Sequence, residues 1–232
     1  MDDDWCPDPD RLPRVLTRAE ALARGFSRQA IDRRLAARRW RRILPRTYLT
    51  VDTATEYDRY RAALVYAGAG ALLSGAAALR VAGVERIKAP DTTLVLVPSA
   101  NRTDSYRWVR VRASARRVQP HLWPGPRHAD IARAAADHAL GLRRLDDVRA
   151  LVATVARDGR CTLEDLEHEL VAGPRNGSGF LRQALAEVGR GAASAPEARA
   201  AHALRKAPDV PAFEQNVELR MRSGRRYVAD FF

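Results

Sequence analysis

The spacing of hydrophobic and polar residues over residues 17–49 predicts two short helices followed by a β-hairpin. Thr17 and Glu20 have the spacing of a capping box, so the first helix is expected to begin there. Gly25 fits the left-handed position that ends a helix, and Ser27 supplies the next N-cap after a turn of about three residues. The pattern therefore predicts two helices that meet across a tight turn.

The second of these helices is expected to have one buried and one exposed side. On a wheel of 100° per residue, Ile31 and Leu35 point one way, whereas Gln29, Arg33 and Ala36 lie roughly opposite. The apolar side would pack on the core. The opposite side would be free to contact a partner.

The residues after this helix have the pattern of a two-stranded wing. The run RRWRRI at residues 38–43 is followed by Pro45, which interrupts the first strand before the second strand of Thr47, Tyr48 and Leu49. Two helices and a basic hairpin in this order are typical of a winged helix-turn-helix.

The rest of the chain is predicted from shorter patterns. Helical spacing indicates scaffold helices over residues 55–83, and alternation indicates a strand pair at residues 92–97 and 106–113. Four helices are predicted at residues 130–140, 146–157, 162–171 and 178–188. The last stretch predicts a helix at residues 195–206 and strands at residues 214–221 and 225–232.

Positive charge is concentrated in the winged segment. Residues 11–50 contain twelve arginines against Glu20 and Asp32, a net charge of +10, whereas the whole chain carries +12. All basic residues except Lys88 and Lys206 are arginine, so part of the excess reflects composition, but its clustering does not. Such a field favours phosphate-bearing partners through counterion release.

A helix in the DNA major groove presents its exposed N-terminal side chains to base edges, which makes Gln29 and Arg33 the candidates for base contacts. The neighbouring arginines suit phosphates. The remaining members of the predicted DNA-binding set are Arg28, Arg34, Arg38, Arg39, Arg41, Arg42 and Arg46. The alternative is an arginine-rich solvated face on a small helical domain.

Composition indicates an internal protein. Cys6 and Cys161 are too few for a disulfide framework or a zinc site, which favours a reducing cytoplasm. No apolar run reaches ~18 residues, so no membrane partner is expected. Residues 1–10 carry five aspartates and no basic residue, which predicts a disordered acidic leader rather than a signal peptide.

The segments LTRAEALARG, SRQAIDRRLAARRWRRILPRTYLT and LLSGAAALRVAGV resemble the N-terminal half of actinobacterial AbiEi-family antitoxins of type IV toxin–antitoxin systems. The similar layout extends over residues 12–190, with the specific motifs at residues 16–50 and 72–84. The resemblance implies a winged helix-turn-helix that represses its own operon, and a remainder that opposes a nucleotidyltransferase toxin. Arg46 stands in the wing turn, where many members of that family have glycine.

The C-terminal stretch resembles the opening of the nuclease-like domain related to very-short-patch repair endonucleases, which have the PD-(D/E)xK fold. This resemblance assigns metal-binding carboxylates to Glu197 and Asp230, which with a later (D/E)xK pair would hold a divalent metal such as Mg²⁺. Glu197 also fits a capping box with Ser194. Because the chain stops at Phe232 without that pair, we expect a truncated remnant with no catalytic function and no cofactor.

These observations predict a mainly α protein with small β elements, of the α+β class. The expected domains are a leader (1–10), a winged helix-turn-helix (11–52), a helical and small-sheet middle domain (53–190) and a nuclease-like α/β remnant (191–232). The predicted function is a DNA-binding autorepressor and antitoxin that binds double-stranded DNA of its own promoter region, with a homodimer and a nucleotidyltransferase toxin as further partners. The alternatives are a fragment of a metal-dependent DNA endonuclease and a protein-interaction module with a basic docking face.

Overall fold

The computed structural model describes residues 12–116, 125–188, 204, 211, 215–220 and 226–231. These residues form eight helices and three small sheets, which confirms the predicted α+β class. The chain divides into two compact units. The first contains the chain up to Val81 and Ala89–Asp130, and the second contains Ala82–Lys88 and the chain from Ile131 onward.

The first unit begins with the predicted helix-turn-helix and hairpin. Its elements are β1 (Val15–Thr17), α1 (Arg18–Ala23), α2 (Arg28–Ala36), β2 (Arg41–Leu44) and β3 (Thr47–Leu49). The strands form an antiparallel sheet in the order β1-β3-β2, with β3 buried in the centre. The hairpin is the predicted two-stranded wing, and β1 adds a third strand that the sequence pattern did not indicate.

Helix α3 (Glu56–Ala67) packs against all three strands of this sheet. Thr55 caps the helix in a capping box with Asp58. The Arg14 guanidinium donates to both oxygens of Asp58, which ties the residue before β1 to the first turn of α3. The Asp58 side chain is almost fully buried, so this pairing fixes the helix against the sheet.

A second sheet consists of β4 (Leu72–Ser74), β5 (Thr93–Pro98) and β6 (Val109–Ser114), in that order, with α4 (Gly75–Val81) following β4. The strands at residues 92–97 and 106–113 were predicted, and they pair in parallel. The prediction that LLSGAAALRVAG is wholly helical was wrong at its start. Leu72–Ser74 pairs antiparallel with β5 because this buried apolar segment has an open strand edge beside it.

The second unit contains α5 (Ile131–Ala139), α6 (Leu145–Asp158), α7 (Leu163–Ala172) and α8 (Gly179–Val188), each within two residues of its predicted bounds. Arg149 of α6 forms a bidentate ion pair with Glu187 of α8, in which Nε and Nη2 donate to the two carboxylate oxygens at 2.7 and 2.8 Å. Both side chains are buried, so each charge is stabilised by the other. This pair joins two helices across the core of the unit.

The two C-terminal strands also lie where the sequence predicts them. They are β7 (Gln215–Arg220) and β8 (Arg226–Phe231), and they pair antiparallel. The predicted leader and the predicted helix at residues 195–206, apart from the helical Leu204, lie outside the described residues. Within the described part of the chain, no helix has both the length and the hydropathy needed to cross a membrane.

Candidate nucleic-acid interface

The turn between α1 and α2 positions the second helix. Gly25 has a φ of 88°, in the left-handed region that glycine adopts without strain. The Phe26 amide then donates to the Ala21 carbonyl at 3.2 Å, and the Ser27 side chain accepts from the Ala30 amide at 3.0 Å. The buried Phe26 ring anchors the turn in the core. The start of α2 is therefore fixed by both a cap and a hydrophobic contact.

Helix α2 has the two sides that the sequence predicts. Ala30 and Ile31 are buried, whereas Arg28, Gln29 and Arg33 are exposed. Arg28 and Gln29 lie in the first turn, next to the capped end, and Arg33 lies one turn further along the same helix. This placement is compatible with base contacts by Gln29 and Arg33.

Arg34, in contrast, contacts the protein itself. Its guanidinium lies 4.7 Å from the centre of the Phe26 ring and 5.8 Å from that of Trp40, and it donates to the Ala30 carbonyl at 3.3 Å. The two rings pack edge to face at 5.0 Å, and Trp40 stacks on Tyr48 at 6.1 Å. Arg34 therefore covers the aromatic core with its charge, at a distance typical of cation–π contacts. The structure gives it a packing function that net charge alone did not indicate.

The arginines between α2 and the wing form an exposed row. Arg38, Arg39, Arg41 and Arg42 are all exposed. A groove of about 610 Å³ runs along them, lined by Leu35, Arg38, Trp40, Arg41 and Arg42. The register of β2 against β3 shifts between Arg42 and Leu44, which is a bulge of the kind that redirects side chains at a sheet edge. This row brings four of the predicted phosphate-binding residues together.

The turn of the wing is a two-residue turn made by Pro45 and Arg46, between the paired residues Leu44 and Thr47. Arg46 has a φ of 55°, and proline followed by a residue with positive φ is the pattern of a type II turn. The Arg18 amide donates to the Arg46 carbonyl at 2.9 Å. The turn is thus tied to the start of α1, and the Arg46 side chain is exposed.

One part of this surface was missed by the sequence analysis. Arg18 reaches from α1 to α2, where its Nη1 lies 3.2 Å from the Asp32 carboxylate and 3.3 Å from the Tyr48 hydroxyl. These hydrogen bonds raise the pKa of Arg18. Asp32 is mostly exposed and lies about one helical turn from Gln29 on α2. Arg18 and Asp32 lie on different helices that are separated by a turn, so the spacing within either helix could not reveal the pair.

The carboxylates assigned by the nuclease resemblance do not form a described site. Glu197 lies outside the described residues, and Asp230 is placed in β8 by its backbone. Among the residues that the structure describes, no three histidine, cysteine, aspartate or glutamate side chains are grouped as a metal site would require.

The comparisons with known proteins concern the fold. No family model matches the chain. No curated protein matches it either. Among solved structures, the chain is similar to the crystal structure of the RV2827C protein from Mycobacterium tuberculosis, with a TM-score of 0.56 and 16% sequence identity. The match covers 92% of this chain and 85% of the other, so the similarity extends over most of the fold.

Proposed function

We propose that the protein is a sequence-specific double-stranded DNA-binding protein of the cytoplasm that represses transcription from its own promoter region. The observation that supports this most directly is the exposed side of α2, where Arg28, Gln29 and Arg33 project from a helix capped by Ser27. In this proposal α2 lies in the major groove. Gln29 suits adenine and Arg33 suits guanine, because these side chains can each form two hydrogen bonds with those bases.

The exposed arginine row supplies the sequence-independent part of binding. Arg38, Arg39, Arg41, Arg42 and the wing residue Arg46 follow one another from the end of α2 through the hairpin. Phosphate contacts from such a row fix the register of a protein on the duplex without selecting a sequence. Arg34, which also belongs to the predicted DNA-binding set, packs on the Phe26 and Trp40 rings and so supports the core beneath this surface.

Asp32 adds a negative charge to α2, about one helical turn from Gln29. A carboxylate is repelled by phosphates but can accept a hydrogen bond from the amino group of cytosine. Arg18, which donates to Asp32, offsets part of that repulsion. We therefore include Asp32 among the residues that select the base sequence.

The antitoxin part of the proposal rests on the sequence resemblance to AbiEi-family proteins. It predicts that a nucleotidyltransferase toxin is the functional partner, and that the protein occupies DNA as a homodimer or on repeated half-sites. Two recognition helices bound one helical turn apart contact half-sites roughly 34 Å, or about 10 bp, from each other. Growth of cells that express a nucleotidyltransferase toxin of the AbiEi-associated class, with and without this protein, tests the antitoxin activity.

The DNA-binding proposal is tested by selecting bound duplexes from a random library. Wild-type protein is expected to enrich one motif, and Gln29→Ala and Arg33→Ala are each expected to lose preference at one or two positions of it. Arg86→Ala is the matched control, because Arg86 is exposed and lies in the second unit. Enrichment of no motif by the wild type would refute sequence-specific recognition, and an unchanged motif in both α2 variants would refute the assignment to α2.

A further inference from the structure

We propose that the same DNA is bound by a second surface of the first unit, which we call the Tyr106 ledge and which consists of Tyr66, Arg102, Tyr106 and Arg107. Its ligand is the phosphodiester backbone that flanks the segment under α2. The inference rests on the proposed DNA-binding function. It extends that function to residues outside the winged segment.

A tight turn presents the ledge to solvent. The Tyr106 amide donates to the Val109 carbonyl at 2.9 Å, and the Val109 amide donates back to Tyr106 at 2.8 Å. Arg107, one of the two residues between them, has a φ of 49° and is exposed. Reciprocal bonds across two residues hold the turn closed, so the guanidinium of Arg107 projects from a fixed backbone.

Contacts of aromatic side chains hold this turn against α3. The rings of Tyr66 and Tyr106 lie 6.2 Å apart, and the Tyr66 hydroxyl donates to the Asp104 carbonyl at 2.9 Å. On the other side of the turn, the Arg59 guanidinium lies 4.8 Å from the centre of the Trp108 ring. The ledge is therefore attached to α3 at two points, which keeps its geometry fixed before any ligand binds.

The ledge is continuous with the proposed DNA interface. A cleft of about 420 Å³ has Arg18 and the wing residue Arg46 on one side and Val65 and Tyr66 on the other. Arg18 in turn contacts Asp32 on the exposed side of α2. A path of adjoining residues thus leads from α2 through Arg18 and the cleft to Tyr66, and from Tyr66 to Tyr106.

The charges of the ledge suit an anionic ligand, and its continuity with the proposed DNA interface favours phosphate. Residues 101–112 contain four arginines, and Asp104 is the one carboxylate among them. Tyr106 is 39% exposed and adds a hydroxyl donor beside Arg107. Arginine and tyrosine side chains are common donors to phosphate oxygens and carry no sequence preference there. The ledge should therefore lengthen the DNA footprint without changing the selected motif.

Arg107→Gly tests the ledge without disturbing the turn, since glycine adopts a positive φ without strain. Arg86→Gly is the matched control, because Arg86 is exposed with a φ of 60° in the second unit. Arg102→Ala is an independent second variant in the exposed loop. Affinity is measured for a short duplex that covers only the selected motif, and for one extended on both sides by ~10 bp.

Wild type is expected to bind the extended duplex more tightly, and Arg107→Gly and Arg102→Ala are each expected to weaken that binding by roughly three- to tenfold while leaving the short duplex unaffected. Equal affinity of wild type and Arg107→Gly for the extended duplex, or equal losses in Arg107→Gly and Arg86→Gly, would overturn the ledge. Failure of the proposed function gives a different result, in which wild type binds motif and scrambled duplexes equally. The ledge can still be tested if sequence-specific binding fails, because the affinities of wild type and Arg107→Gly can also be compared on a scrambled extended duplex.

Discussion

Replacing Arg46 by glycine should make the protein more stable and its DNA binding weaker. Arg46 adopts a φ of 55° in the wing turn. The left-handed conformation costs a residue with a side chain about 1–2 kcal/mol. Glycine avoids that cost but gains freedom in the unfolded chain, which offsets about 0.4–1 kcal/mol. The expected net effect is therefore a stabilisation of up to about 1.6 kcal/mol.

The turn itself should persist in Arg46→Gly. The Arg18 amide donates to the carbonyl of residue 46, and the Thr47 hydroxyl donates to the Pro45 carbonyl at 3.2 Å. Both bonds use backbone acceptors that the substitution leaves in place. The variant thus removes one exposed guanidinium and little else.

Binding should change in the opposite direction. Loss of one phosphate contact is expected to weaken DNA binding by roughly three- to tenfold at low salt, and to reduce the slope of log affinity against log salt by about 1. Urea unfolding measures the stability, and fluorescence anisotropy over a salt series measures the binding. Arg86→Gly, with its own positive φ, should gain stability without losing affinity.

Two results would refute this reasoning. A less stable Arg46→Gly would show that the arginine side chain supports the turn through contacts that outweigh its conformational cost. An unchanged affinity and salt slope would show that the wing turn does not contact phosphate.

The remaining predictions concern selectivity, the second unit and pH. Arg33→Ala should lower affinity for the selected motif more than for scrambled DNA, whereas Arg41→Ala should lower both alike; equal effects in anisotropy would remove Arg33 from the base contacts. Arg149→Ala should lower the free energy of unfolding in urea by about 3–5 kcal/mol because the buried Glu187 carboxylate loses its cationic partner, and replacing Arg149 and Glu187 by Met and Leu should recover most of the loss; equal losses would contradict this. Burial opposes ionisation of Asp58, but hydrogen bonds from Arg14 and the Thr55 cap outweigh it and lower the pKa of Asp58. The stability that ionised Asp58 adds is present above the pKa of the unfolded state, about 3.9, and is lost as the pH falls through the lower pKa of the folded state. Asp58→Asn should therefore flatten the decrease of unfolding free energy at acid pH, and an unchanged decrease would contradict this role of Asp58.

Much of the fold was predictable from local sequence signals. The caps at Thr17 and Ser27 place helix starts because a side-chain oxygen must satisfy amides that the helix leaves open, and both form the expected bonds. The hairpin after α2 was equally local, since proline between two short strand patterns favours a turn, where Pro45 lies. Patterns of this kind depend on a few neighbouring residues, so they can be recognised without knowledge of the tertiary contacts.

Features that depend on distant residues were not predictable. Val15–Thr17 and Leu72–Ser74 are strands of three residues, too short to show alternation, and each forms only because a partner strand lies beside it. The parallel pairing of β5 and β6 is likewise set by the path of the intervening chain. Sequence spacing carries no record of such contacts.

The candidate interface shows the same division. The exposure of Gln29 and Arg33 follows from the period of the helix, so a wheel sufficed to place them. The packing of Arg34 on Phe26 and the pairing of Arg18 with Asp32 depend on how two helices and a hairpin meet. Counting arginines treats these residues alike, although one covers the core and another holds a carboxylate on α2.

The most direct test of the central claim is the affinity of the protein for its own upstream DNA compared with a scrambled duplex of the same length, measured by fluorescence anisotropy at several salt concentrations. If α2 recognises the operator, the protein should prefer the upstream fragment by ~10³ or more, with a steep salt dependence on both duplexes. Equal and weak binding to the two duplexes would contradict recognition by α2 and leave the arginine row as a general basic surface.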